Sequence, residues 1–161
     1  MKSFSKLGWI GLGNMGSRIA KRLRNAGYPL IVYNRDRSKA QELLSQGAEL
    51  AASPPELAAA ADIIFSCLSD AAAIQSVYFG ADGVLRNAKP GAHIVEMSTV
   101  VPETSLVLFR IGADRGISVS DVAISGSTPA AESGSLTLGF RSHSFEGGRS
   151  PRGNARNGRS R

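Results

Sequence analysis

The chain has 161 residues, 42% of them hydrophobic and 20% charged. That is room for one domain of ordinary size, and the composition excludes wholesale disorder and collagen-like repeats. One cysteine excludes an intrachain disulfide framework and a Cys-rich zinc site, and no apolar run is long enough to cross a membrane as a helix.

The formal charge of +6 is lopsided, because residues 139–161 hold six Arg against one Glu and contain no Val, Ile, Leu or Met. Such a segment cannot bury enough apolar area to offset its ordering entropy. A boundary is expected at Leu138/Gly139, with a folded unit over residues 1–138 and a disordered basic tail over 139–161. The apolar run Leu7–Leu12 is short and Gly-rich. Arg18, Lys21, Arg22 and Arg24 follow where a secretory leader would need small residues, so a soluble, cytoplasmic protein is expected.

Lys6–Gly11 reads as a buried first strand. Asn14–Ala26 has Met15, Ile19, Ala20 and Leu23 at helical spacing and is stopped by Gly27. Leu30–Tyr33 is a second strand and Ser38–Ser45 a second helix. Pro54 and Pro55 open a short Ala-rich helix, since proline is tolerated in a first turn. Asp62–Leu68 is a third strand, Ala71–Phe79 a helix, Ala92–Glu96 a fourth strand, Pro102–Arg115 a helix and Ile117–Val122 a fifth strand. Leu136–Leu138 begins something strand-like. Strands alternating with helices argue an α/β fold: a doubly wound parallel sheet with its ligand crevice at the carboxyl ends of the strands.

Gly11-Leu12-Gly13-Asn14-Met15-Gly16 is a GxGxxG motif. In a chain with 18 glycines it could be mere turn glycines, but a strand precedes it, an amphipathic helix follows, and a second strand returns after Gly27. Gly11 permits the tight turn, Gly13 lets backbone approach a pyrophosphate, and Gly16 allows close helix–strand packing. The helix N-terminus then offers N–H donors to the phosphates.

NAD-binding proteins usually place Asp or Glu at the end of the second strand. Here Asn34 stands there, followed by Arg35, Arg37 and Lys39, with Asp36 partly offsetting them. A guanidinium binds a 2′-phosphate that a carboxylate would repel. The pattern predicts NADP over NAD, with Arg35 as the main 2′-phosphate ligand; the alternative is a solvated helix start with ordinary surface charges.

Together, WIGLGNMGSRIAKRL with AGYPLIVYNR, the third-strand end CLSD, VEMSTVVPETS and DVAISGSTPAAESGSLTL resemble the β-hydroxyacid dehydrogenases. These include 3-hydroxyisobutyrate dehydrogenase and tartronate semialdehyde reductase, with 6-phosphogluconate dehydrogenase more distant. The resemblance spans Leu7 to Leu138 and implies a Rossmann-type fold. It also implies reversible oxidation of a small 3-hydroxy acid, or reduction of the semialdehyde, with NAD or NADP. It assigns Leu68 and Ser69 to cofactor contact, Thr99 to the neighbourhood of the nicotinamide ribose, and Ser125, Gly126 and Ser127 to the substrate carboxylate. One departure is Asp121-Val122-Ala123-Ile124, where the family commonly has Asp-Ala-Pro-Val.

The proton donor or acceptor that such chemistry needs is, in the family, a lysine on a helix well beyond the Ser-Gly loop. This chain has Lys2, Lys6, Lys21, Lys39 and Lys89 and none later, so no catalytic residue is assigned. The family's all-helical second domain, which supplies much of its dimer interface, has no counterpart here. A truncated product or a reading-frame change near codon 138 is the expectation. His93 and Cys67 read as structural residues, Trp9 as core, and His143 as a tail residue; no metal site is expected. The competing readings are a non-catalytic NADP-binding fragment and a nucleic-acid-binding protein acting through its basic tail.

Overall fold

The computed structural model describes residues 5–99 and 101–141. Strand β1 (Leu7–Ile10) is buried along its whole length, an interior strand with core clusters packed on both faces. It pairs in parallel with β2 (Leu30–Tyr33) on one side and β4 (Ile63–Ser66) on the other. Outward from β2 lies β3 (Glu49–Leu50), and outward from β4 lie β5 (His93–Glu96) and β6 (Ser118–Ser125), all parallel. Antiparallel β7 (Thr137–Arg141) closes the order β3-β2-β1-β4-β5-β6-β7.

The period-2 alternation of the strands divides the core between the two faces. Leu7 and Trp9 of β1, with Leu30 and Val32 of β2, point to one face. There they meet Ala20 of α1 (Gly16–Asn25) and Leu43 of α2 (Gln41–Ser45). Ile10, Ile31, Ile64 and Ile94 point to the other face. There they meet Leu57 of α3 (Pro54–Ala60), Ile74 and Tyr78 of α4 (Ala71–Tyr78), Val84 of α5 (Val84–Asn87) and Leu108 of α6 (Pro102–Asp114). Helices thus cover both faces, and the winding direction reverses between β1 and β4.

Local chemistry starts these helices where the chain needs them. The Ser53 hydroxyl accepts the Glu56 N–H at 3.4 Å, while the Glu56 carboxylate accepts the Ala52 N–H at 2.9 Å, with Pro54 in the first turn. This is a capping box displaced by one residue. Asp70 caps α4 by accepting the Ala73 N–H at 2.8 Å.

The doubly wound expectation holds, with differences at the margins. Ser38–Ser45 divides into a 3₁₀ turn over Arg37–Ala40 followed by α2. The short elements β3 and α5 were not foreseen, nor was α7 (Thr128–Ser133). Strand β6 runs to Ser125, three residues beyond the expected Val122, because Val122–Ser125 pair with β7. The boundary drawn at Leu138/Gly139 falls inside β7, which reaches Arg141; ladder pairing uses backbone groups, which Gly139 supplies as well as an aliphatic residue. The expectations for the rest of the tail, His143 included, lie outside the described residues. Phe140 and Leu138 are 76% and 48% exposed, and their cross-strand partners Val122 and Ile124 belong to the α1/α2 face.

At the amino-terminal edge of the sheet, Asp62 gathers the chain. Its Oδ2 accepts the Lys6 backbone N–H at 2.9 Å, and its Oδ1 accepts from Lys89 Nζ, also at 2.9 Å. The Lys89 bond, followed by the Lys6 N–H, holds its carboxyl below the usual range. A depressed folded-state pKa contributes stability that is present above the unfolded value and is lost as pH falls through the folded one. The pair is about half exposed, so solvent screening limits it to about 1 kcal/mol. Asp62→Asn should therefore lower urea stability by at most that much at pH 7, and the difference from wild type should shrink as pH falls below the ordinary carboxylate range and through the depressed folded value. A difference that persists in acid would show that the charge is not what matters.

Candidate functional site

The carboxyl ends of β1, β2, β4 and β5 are stitched together beyond their regular ladders. Gly11 N–H donates to Tyr33 O at 3.1 Å, Cys67 N–H to Ile10 O at 2.9 Å, and Met97 N–H to Ser66 O at 2.9 Å. The chain leaves β1 through Gly11 with φ +96°, a conformation glycine adopts without steric penalty. A Cβ there would lie 2.2 Å from Cys67 O, and one on Gly16 would lie 2.1 Å from Gly11 O. These two glycines are required by the fold itself. Gly13 differs: nothing lies within 4 Å of where its Cβ would be, and it faces solvent.

Above this turn lies a cleft of about 600 Å³. The glycine loop and first turn of α1 form its floor. One wall is Tyr33–Asp36 with Lys39; the other is Cys67–Asp70 with the start of α4. This is the crevice at the winding reversal, where open α/β sheets bind ligands. Helix α1 carries no acidic residue in its first turn and no side-chain cap, so its N–H groups and positive dipole end favour an anion.

Of the residues singled out from the sequence, Gly11, Gly13, Asn14, Met15, Gly16, Asn34, Arg35, Leu68 and Ser69 all line this cleft. Leu12 does not; it is buried, and its N–H donates to Asn34 Oδ1 at 2.8 Å. The Asn34 amide in turn donates to Asp36 O at 2.8 Å, so this side chain links the loop to the turn after β2. Thr99 is exposed beyond β5 and outside the cleft lining. Ser125, Gly126 and Ser127 are exposed at the carboxyl end of β6, also outside it. Gly126 has φ +142°, and Ser127 leads into α7.

Charge in the cleft is uneven. Asp36 is committed to Ser38, accepting from its hydroxyl at 2.7 Å and its N–H at 3.0 Å; those bonds lower its pKa, the hydroxyl most. Asp70 is held low mainly by the Ala73 N–H and then by the Ser69 hydroxyl, with Arg35 adding its charge. Arg35 forms no ion pair within 4 Å among the described residues and is exposed to the cleft.

Cys67 lines the cleft, but burial, and then the Glu96 charge, push its thiol up, which suits the structural reading over a nucleophile. The His93 ring meets Ser120 Oγ at 2.8 Å, on a strand end away from the cleft. Trp9 is core: its indole N–H donates to Gly11 O at 2.9 Å and its ring stacks on Phe65 at 5.6 Å. No group of three metal-ligating side chains occurs among the described residues, and no helix among them is long and apolar enough to cross a membrane.

A family model described as the NAD binding domain of 6-phosphogluconate dehydrogenase matches residues 6–144. The chain belongs to that family. It is 36% identical over 138 residues to 2-(hydroxymethyl)glutarate dehydrogenase of Eubacterium barkeri, a match covering 86% of this chain and 46% of the relative. It is 39% identical over 138 residues to mitochondrial 3-hydroxyisobutyrate dehydrogenase of Mus musculus, covering 86% and 41%. The solved structure of Psf3 in complex with NADP+ and 2-OPP shares the fold at TM-score 0.79 and 36% identity, over 84% of this chain and 49% of that one. The chain thus spans less than half the length of these curated relatives.

The glycines make a separable prediction. Gly11→Ala and Gly16→Ala should each lower the thermal midpoint by several degrees or prevent folding, because a Cβ meets backbone at 2.2 and 2.1 Å. Gly13→Ala should melt within about 2 °C of wild type yet weaken nucleotide binding about tenfold or more, since its Cβ occupies only the space open to a ligand. A Gly13→Ala protein that binds as wild type would remove the loop from the site.

Proposed function

We propose that this chain is an NADP-binding domain of the 3-hydroxyacid dehydrogenase type. The observation that carries the reading is the pairing of an open glycine cradle at Gly13 with Arg35 and Lys39 at the end of β2, where Asn34 replaces a carboxylate. NAD recognition there rests on an acidic acceptor for the ribose hydroxyl. Here Asp36 is tied to Ser38 and Asn34 to Leu12 and Asp36. A 2′-phosphate instead finds the unpaired Arg35 guanidinium, which can bind it through charge-assisted hydrogen bonds. The NADP+ bound to the similar Psf3 chain supports the same choice.

When bound, the cofactor supplies a hydride acceptor or donor. The residues of the chain bind and orient it: Gly13 and the first turn of α1 take the pyrophosphate, Arg35 the 2′-phosphate, and Leu68 and Ser69 the β4 wall. Thr99 and the Ser125–Ser127 loop follow β5 and β6 at the same sheet edge, on the side away from Arg35. Their hydroxyl and N–H groups suit the ribose and a substrate carboxylate respectively. The substrate class, by family, is a small 3-hydroxy acid or its semialdehyde.

Among the described residues, no lysine or histidine stands at the carboxyl ends of β4, β5 and β6, where the carbinol oxygen would lie. Lys89 is held at the opposite edge by Asp62 and Ala60 O, His93 lies at the amino-terminal end of β5, and Lys39 flanks Arg35. On this reading the described residues hold the cofactor without themselves supplying the lysine proton donor, so weak or no turnover is expected of this chain alone. The same observations fit a non-catalytic NADP-binding fragment.

Two measurements test this. Arg35→Asp should weaken NADPH binding about tenfold to a hundredfold, as expected for a lost charge-assisted contact, while NADH binding changes far less. Equal losses for both cofactors would sink the NADP assignment. Purified wild-type chain should show no robust NADPH-dependent reduction of small semialdehydes; rapid turnover would show that a proton donor is present after all.

A further inference from the structure

Leu68 and Ser69 form the cleft wall immediately after β4, outside any helix or strand. The Leu68 N–H donates to Ser98 Oγ at 2.7 Å. Ser98 follows β5, is only 4% exposed, and does not itself line the cleft. Its own N–H donates to Glu96 Oε1 at 2.6 Å. Glu96 is 1% exposed, and its Oε2 accepts from the Ser66 hydroxyl. Ser66 Oγ lies 2.5 Å from the buried Tyr78 hydroxyl of α4, and burial pushes that phenol well up.

One buried carboxylate therefore gathers the last residue of β4, the turn after β5 and the end of α4. Parallel pairing does not require this, because Ser66↔Glu96 and the Met97–Ser66 bond already set the register through backbone groups. Burying a carboxylate in an apolar sheet is costly unless its hydrogen bonds are made. Here they are made, and their outermost bond ends on the amide of a cleft-lining residue.

We infer that Ser98, oriented by buried Glu96, is a positioning residue that sets the β4 wall of the cleft for the half of the dinucleotide away from Arg35. This rests on the dinucleotide reading above. A dinucleotide spans the winding reversal, so a ligand ending at the 5′-phosphate reports on the Arg35 side and the glycine loop. The intact cofactor also reports on the β4 and β5 exits. Ser98→Ala removes the acceptor for Leu68 N–H and leaves Arg35, Asn34 and the glycine loop untouched.

The experiment measures NADPH and adenosine 2′,5′-bisphosphate binding by calorimetry to wild type and Ser98→Ala, with amide hydrogen exchange at Leu68. The expected result is an approximately tenfold loss for NADPH, a change under about twofold for the bisphosphate, and faster exchange at Leu68. Should Ser98→Ala fail to fold, Ser98→Cys, close in size and a weaker acceptor, is expected to give the same split with a smaller loss. Equal losses for both ligands, or none for NADPH, would overturn the positioning role while leaving the dinucleotide reading in place. Wild-type protein that binds neither ligand would overturn that reading and this inference together.

Discussion

The close approach of three backbone segments at the carboxyl edge of the sheet is the constraint on which the site depends. Strand β1 must end, α1 must begin, and β4 must pass alongside, all within reach of Gly11. Any side chain at Gly11 or Gly16 would collide with a carbonyl about 2 Å away, so the turn tolerates no Cβ at either position. Trp9 secures the same point from below by spending its indole N–H on Gly11 O, at a residue otherwise given wholly to core packing. The first turn of α1 is thereby aimed across the crevice rather than out into solvent. The anion-binding property of that helix end follows from packing, before any ligand is considered.

How much of this was legible in the sequence depends on the range of the forces involved. Leu30–Tyr33 and the α3 start follow from local patterns, an apolar β-rich run and the Pro54-Pro55 first turn, and both match the structure; the Ser53–Glu56 cap that completes the α3 start was not read. The GxGxxG could be recognised because its three glycines fall within six residues of chain, between a strand and an amphipathic helix. Strand β3 could not be: it has two residues, one exposed and one half-buried, and exists only because Ile31 and Val32 offer it backbone partners. Helix α7 hid within a Ser- and Gly-rich stretch whose apolar anchor is a single buried alanine, Ala131. It is held from across the chain by Arg18 on Glu132 at 2.7 Å and Arg22 on Glu132 O at 2.8 Å.

The same distinction runs through the site. Asn34 was recognisable as the residue standing where a carboxylate would select NAD. That its amide is occupied by a backbone N–H 22 residues earlier in the chain was not. Ser98 stood next to Thr99 in the VEMSTVV stretch and carried no signal of its own. A serine after a strand is usually a turn residue, and its partner amide at Leu68 comes from a different strand. Residue type marks where chemistry is possible; side-chain partners come from tertiary contacts that periodicity does not encode.

Charge separates the two edges of the sheet. At the amino-terminal edge, Lys6 is neutralised by Glu49 at 2.7 Å and Lys89 by Asp62 at 2.9 Å, so those cations serve the fold and are withdrawn from chemistry. At the carboxyl edge, the acids are the groups already spent, Asp36 on Ser38 and Asp70 on Ala73 and Ser69, while Arg35 is left open. A cleft whose acids are committed to hydrogen bonds within the chain and whose arginine is exposed to the opening favours an anionic ligand. The cleft that would hold the cofactor is lined from the end of β1 to the first turns of α4, with Glu96 and Ser98 buttressing its β4 wall from β5. Substrate recognition and proton transfer would call on the later Ser125–Ser127 loop and on a donor the described residues do not place there. On the proposed reading, binding and turnover are separable because they would draw on different stretches of chain.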